Sequence, residues 1–289
     1  MDIKKLDVLL AVVDCGSFTK AGEKLGYTQS GITHMMKALE QEVGFPLFTK
    51  GHHGVSLTKA GQSLLPPIRN LLAANESLNQ EISFLKGVKK GILKIGSFSS
   101  CSMHWLPRII TNFQKQYPDI RFEILEGDER ELSTWATEHK TDIVFVSYQE
   151  SIPYRFIHVM DDPMYAVFPK GHRFAELEEV PIKEFEDEPF IVAEYTYEND
   201  VHRLLKHYNV KPDIRYTLRT EFAMLSMVEH NLGVTIMPGL ILRNLSGNFE
   251  VRPLSPACHR KLGMAVSPSD ELSPAAKIFI KYAQEYLLD

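Results

Sequence analysis

The sequence predicts an α/β chain. A short helical segment ending in a β-hairpin is followed by one long helix and a larger half of alternating strands and helices. Three observations predict it. Residues 1–43 carry apolar positions at helical spacing, punctuated by capping residues. Residues 59–87 carry apolar positions alternately four and three apart. From Lys90 onward, strand-like runs alternate with amphipathic stretches, the pattern of a doubly wound sheet.

In the first segment, Asp2 can cap a helix whose Leu6, Leu9, Leu10 and Val13 form one stripe. Ser17 can cap a second helix bearing Ala21 and Leu25, which Gly26 can end in a left-handed turn. Thr28 then caps a third, in which Ile32, Met36 and Leu39 recur at i, i+4 and i+7 and face inward. Gln29, Ser30, Thr33, His34 and Lys37 are left outside. Two short helices around a tight turn make a helix-turn-helix, whose second helix lies in the DNA major groove. A polar helix face by itself is usually only solvated; its setting between a capped helix and a hairpin points to DNA. Two strand-like runs in residues 43–58 flank Gly51 to Gly54, a wing whose tip offers Lys50, His52 and His53 to the backbone or minor groove. The adjacent histidines lack Cys or carboxylate partners at ligand spacing, so no metal site is expected.

These residues resemble the LysR-type transcriptional regulators. The likeness rests on Gly16-Ser17-Phe18-Thr19-Lys20-Ala21-Gly22-Glu23-Lys24-Leu25, on Thr28-Gln29-Ser30 before a helix ending Leu39-Glu40, on Val43-Gly44 with Pro46-Leu47-Phe48, and on Val55, Leu57, Thr58, Ala60 and Gly61. The resemblance implies a winged helix-turn-helix followed by a linker helix. Gly22 and Lys50 stand where the family usually has Ala and Arg. Met35 stands where a polar residue is common, and is expected to contact a thymine methyl. Gln29, Ser30, Thr33 and His34 are expected at base edges, Thr28 in the DNA-binding set as the cap of that helix, and Lys37, Lys50, His52 and His53 at phosphates or the minor groove.

Charge sets a constraint on this reading. Residues 1–60 hold seven lysines and no arginine against six carboxylates, so phosphate neutralisation is weak. Backbone amides, helix N-termini and binding by an oligomer must then carry much of the affinity. Lys86, Lys89, Lys90 and Lys94 cluster beyond the linker. The whole chain has 289 residues, a net charge of −5 and 44% hydrophobic residues, which suits a globular protein of two or three domains. No secretory or membrane-spanning segment is read, and a cytoplasmic location is expected. Cys15, Cys101 and Cys258 show no CxxC spacing.

In residues 59–87, Leu64, Ile68, Leu71, Asn75, Leu78, Ile82 and Leu85 form a heptad seam, with Leu65 and Leu72 widening it. The seam predicts a homodimer, with Asn75 helping to fix register, and the family resemblance implies a homodimer or homotetramer. Pro66-Pro67 predicts a kink, or a helix that starts there.

The second half begins with a strand from Gly91 to Ser97 and a helix expected over Met103 to Tyr117. Strands are expected at Ile120–Leu125, Asp142–Val146, Met164–Phe168, Phe190–Ala193 and Gly233–Pro238. Helices are expected at Glu129–His139, Asp200–Tyr208 and Glu221–His230, the last ended by Asn231. Ile95-Gly96, Leu106-Pro107, Tyr117-Pro118, Gly127, Pro169-Lys170-Gly171-His172, Gly233 with Pro238, and Leu272-Ser273-Pro274 resemble the effector domain of the same family. That resemblance implies two subdomains built like a type 2 periplasmic binding protein, with a ligand cleft between them. The expected domains are 1–58, winged helix-turn-helix; 59–88, linker; 89–161 with 268–289, subdomain I; and 162–267, subdomain II. The chain is expected to cross near Asp161-Asp162 and to return near Ser267-Pro268.

Ser99, Ser100 and Ser102 lie between a strand end and a helix start, where amides and hydroxyls can hold an anion. Asp128 follows the second strand, and Glu194, Tyr195 and Thr196 occupy the matching turn of subdomain II. Acidic groups opposite the serines suit a zwitterion or an amine-bearing metabolite. Cys101 offers an alternative, redox sensing through a thiol of lowered pKa at a helix start. No phosphate loop, HExxH, GxSxG or CxxC is present, so neither an enzyme nor a cofactor is expected. The sequence therefore predicts a regulator that binds double-stranded promoter DNA and a small-molecule effector, with no membrane partner.

Overall fold

The computed structural model describes residues 1–51, 54–150, 154–193, 199–267 and 272–288. The chain divides into two compact units, Met1–Val88 with Glu138–Lys140, and Lys89–Thr137 with Thr141–Asp289.

The first unit contains α1 (Ile3–Cys15), α2 (Phe18–Leu25), α3 (Gln29–Val43), the β1 (Phe48–Gly51) and β2 (Gly54–Leu57) hairpin, and α4 (Lys59–Leu85). Local chemistry sets each boundary. Asp2, Ser17 and Thr28 accept from the amides of Lys4, Lys20 and Gly31, and Gly16, Gly26 and Gly44 close the helices in the left-handed conformation. Leu6, Leu9, Val12, Ala21, Ile32, Met36, Leu39, Leu47 and Ile68 form the buried core. Met35 is half-buried and packs against that core too. Both Leu47 and Phe48 amides donate to Glu40 Oε1, at 2.7 and 3.1 Å, which ties the hairpin to α3. Thr58 caps α4 through the Gly61 amide and donates to Pro46 O at 2.9 Å. A Cβ on Gly61 would stand 2.5 Å from Leu47 O, so glycine permits this approach.

Helix α4 runs through Pro66-Pro67 without the expected restart. The prolines remove two backbone bonds, but Leu64, Leu65, Ile68 and Leu72 pack that stretch against the unit's core. The seam is thereby divided. Its later members Leu71, Leu78, Ile82 and Leu85 are 45%, 59%, 41% and 82% exposed in the single chain.

In the second unit come β3 (Gly91–Ser97), α5 (Ser99–His104), α6 (Leu106–Gln116), β4 (Ile120–Glu126), α7 (Glu129–Thr137), β5 (Ile143–Ser147) and β6 (Arg155–Pro169). After these follow β7 (Val180–Pro181), β8 (Pro189–Ala193), α8 (Asp200–His207), β9 (Asp213–Leu218), α9 (Glu221–Glu229), β10 (Thr235–Pro238), α10 (Gly239–Leu242), β11 (Phe249–Ser255), β12 (His259–Val266) and α11 (Pro274–Leu288). The main sheet runs β4-β3-β5-β12-β6-β11-β7, with β10 also on β6, and β8 pairs with β9. Strands β3, β4 and β5 are parallel, so their carboxyl ends share one edge. Phe113, Phe122, Phe279 and Tyr282 interlock edge-to-face or tilted and seat α11 on α6 and β4.

Three sequence expectations take structural form here. The helix expected over Met103–Tyr117 is two helices meeting at Trp105, with Pro107 in the first turn of α6, where its missing donor costs nothing. The crossing near Asp161-Asp162 is the middle of the continuous strand β6, which pairs with β12 before that point and with β10 and β11 after it. The return comes earlier than residues 267–268, because β12 already pairs with β5 from Leu262 to Ala265. Among the described residues, no helix is long and apolar enough to cross a membrane.

Candidate functional site

The first unit presents the start of α3. Thr28, Gln29, Ser30, His34 and Lys37 are exposed there, and Thr33 is half-buried. Gln29 Nε2 donates to Thr33 Oγ1 at 3.1 Å, and that hydroxyl donates to Gln29 O at 2.9 Å. These bonds hold the glutamine along its own helix. The Thr28 hydroxyl is occupied as the cap and lies 3.1 Å from Ser30 Oγ. Lys5 and the N-terminal amine pair with Glu42, so one of the lysines of residues 1–60 is used inside the fold. That pairing, chiefly the Lys5 hydrogen bond, holds the Glu42 carboxyl below its ordinary pKa. His52, His53 and the Lys50 side chain lie outside the described residues. Among the described residues, no group of three or more His, Cys, Asp or Glu side chains could hold a metal ion.

The second unit contains a cavity of about 620 Å³. One wall is the carboxyl edge of β3, β4 and β5, contributing Phe98, Ser99, Ser100, Asp128, Glu129 and Ser147. Facing it are the amino ends of α8 and α9, with Asp200, Arg219, Glu221 and Phe222. Crevices at the carboxyl ends of parallel strands are where such sheets take ligands.

Arg260 forms the floor and is only 8% exposed. Its Nε and Nη2 donate to Asp162 Oδ2 at 2.9 and 2.8 Å, and Nη2 also donates to Ser100 Oγ at 3.1 Å. The guanidinium lies 5.0 Å from the Phe98 ring centroid, and Nη1 is 3.6 Å from Asp200. Asp162, buried at 1%, spends its other oxygen on the Leu240 amide. A second ion pair lies behind the cavity wall. Arg203 on α8 donates to Glu129 Oε1 at 2.9 Å and to Asp200 Oδ1 at 2.6 Å, and Asp200 accepts from Ser147 at 2.7 Å. Burial, and then the Asp200 charge, push the Glu129 carboxyl above its ordinary pKa against the pull of Arg203.

Of the sequence-predicted effector residues, Ser99, Ser100 and Asp128 are brought to this cavity. Ser99 donates to Glu221 at 3.4 Å. The Ser100 hydroxyl is already engaged by Arg260, and Asp128 caps α7 by accepting from the Arg130 and Glu131 amides. Ser102 and Cys101 are not among the lining residues, and Cys101 is fully buried. Burial pushes the Cys101 thiol up, opposite to the lowered pKa that redox sensing requires. Glu194, Tyr195 and Thr196 lie outside the described residues. Sequence reasoning missed Arg260, Asp200, Glu129 and Arg203. A signal existed for Arg260, which shares the buried face of β12 with Leu262 and Met264. A charge on the core face of a strand asks for a partner.

Residues 3–62 match the family described as "Bacterial regulatory helix-turn-helix protein, lysR family", and residues 86–288 match the "LysR substrate binding domain". The chain is 29% identical over 288 residues to YvbU of Bacillus subtilis, an uncharacterized HTH-type transcriptional regulator, covering 99% of this chain and 98% of that one. The fold is similar to full-length CbnR complexed with its target DNA, with a TM-score of 0.67 at 16% identity over 99% of both chains. It is also similar to the effector binding domain of QuiR in complex with shikimate, with a TM-score of 0.61 at 23% identity, covering 68% of this chain and 97% of that one.

Proposed function

Because the chain belongs to the LysR family of bacterial helix-turn-helix regulators, we propose that it is a cytoplasmic, sequence-specific transcriptional regulator whose promoter binding responds to a small effector held in the β3–β4–β5 cleft. The observation that carries this reading is the pairing, in one chain, of an exposed polar N-terminus on α3 with a ligand-sized cavity built on a domain of this family. CbnR, whose fold is similar, is known in complex with its target DNA, and QuiR with shikimate. By that analogy α3 enters the major groove. Gln29, Ser30, Thr33 and His34 then lie at base edges, with Thr28 capping the helix beside them and Lys37, Lys50, His52 and His53 at the backbone or minor groove. The exposed seam of α4 joins two copies, so that a two-fold-related site meets two wings. We divide the chain as winged helix-turn-helix, linker helix and two subdomains, with the return to the first subdomain at β12.

Capture of fragments from a genomic DNA library by the purified full chain tests the reading. A small reproducible set of fragments should be retained, and Gln29→Ala/His34→Ala should lose it while remaining folded. Retention of the same set by that variant, or no enriched fragment at all, overturns the assignment of the DNA-reading residues.

A further inference from the structure

Resting on the proposal that this cleft holds the effector, we infer that the ligand is a small organic amine with an apolar body, not an organic acid. Six carboxylates line the cavity among its described residues: Glu126, Asp128, Glu129, Glu131, Asp200 and Glu221. Among the described lining residues, only Arg219 and Arg260 oppose them. Arg260 has little charge to offer a ligand anion, since its Nε and Nη2 are held by Asp162, Nη2 also reaches Ser100, Nη1 is near Asp200 and its face rests on Phe98. Arg203, behind the wall, is consumed by Glu129 and Asp200 in the same way. A carboxylate entering here meets a surplus of like charge, whereas an ammonium meets acceptors on both walls. Phe98, Met103, Phe222 and Ile241 supply the apolar surface for the rest of the molecule. The volume, about 620 Å³, is that of a small-molecule pocket.

Thermal unfolding of the full chain tests this with matched probes: benzylamine and 1,4-diaminobutane, the neutral benzyl alcohol and 1,4-butanediol, and the anions benzoate and succinate. A ligand that binds only the folded state raises Tm with concentration. The amines should shift Tm, at apparent Kd values about tenfold or more below those of the matched alcohols, and the anions should not. Asp200→Asn/Glu221→Gln should abolish the shift. A control with the same change in net charge on an exposed surface, Glu178→Gln/Glu179→Gln, should keep it.

Three results overturn the inference. If the anions shift Tm, the amines do not, and Phe222→Ala weakens the anion response, then the charge class is wrong while the cleft remains the effector site. If an amine response survives Asp200→Asn/Glu221→Gln, binding lies elsewhere. If neither class acts and the cleft variants leave DNA binding unaltered, the cleft assignment falls together with the inference.

Discussion

Glu40 matters more to the DNA-reading segment than its place late on α3 suggests, because one carboxylate oxygen receives two backbone amides from the base of the wing. Glu40→Ala leaves those amides without an acceptor, and the expected cost is about 1–3 kcal/mol. A thermal or urea unfolding curve measures it; an unchanged midpoint would show the wing is anchored elsewhere. Asp162 plays the matching part in the second unit. Asp162→Ala strands Arg260 below the cavity, a buried charge without its main partner, and should destabilise that unit by about 3–5 kcal/mol. Glu129 sets a pH dependence. Asp200, Arg203 and Tyr154 surround it, and its carboxyl is held above the ordinary range, chiefly by burial. An ammonium nearby favours the ionised form. Binding of an amine therefore releases a proton, and affinity rises as pH rises through the elevated value. Calorimetry in buffers of different ionisation enthalpy reads that proton; uptake instead of release contradicts the assignment.

At the scale of elements, α4 divides one apolar stripe between core and surface. Its first half completes the core of the winged segment, and its second half leaves Leu71, Leu78, Ile82 and Leu85 in solvent. Leu78→Asp/Ile82→Asp should lower self-association in sedimentation and weaken binding to two-fold DNA sites, without moving the unfolding midpoint of the winged segment. A variant that remains oligomeric locates the contact elsewhere. The helix-turn-helix carries few cations, and Lys5 is committed to Glu42. Each neutralised phosphate contributes about −0.9 to the salt slope, so the slope per subunit should be no steeper than about −5. A steeper slope that persists after residues 86–94 are removed excludes this account of the charge.

At the scale of the molecule, legibility follows how local the causes are. Asp2, Ser17, Gly26 and Thr28 act on their own helix ends, and all four stand where the sequence placed them. The left-handed Asn231, at φ 59°, was legible for the same reason. Strands β9, β11 and β12 were not read, although Ile214, Tyr216 and Leu218 of β9 and Phe249 and Val251 of β11 alternate as strand residues do; pairing with distant partners fixes them. The cleft was half legible. Ser99, Ser100 and Asp128 lie beside strand ends that can be read, whereas the bond from Arg260 to Ser100 spans 160 residues. No local pattern encodes such a contact, so one of the three anion-holding serines, Ser100, is in the structure the partner of an arginine.

Coupling between the cleft and the DNA-reading helix requires an effector to bind one state of the protein better than the other. Its most direct measurement is a fluorescence-anisotropy titration of the full chain onto a captured duplex, with and without an amine that raises Tm. The account predicts a change in Kd of about 5–150-fold, equal in size to the change the duplex makes in amine affinity. Identical curves, at saturating amine and with the footprint unaltered, would contradict it.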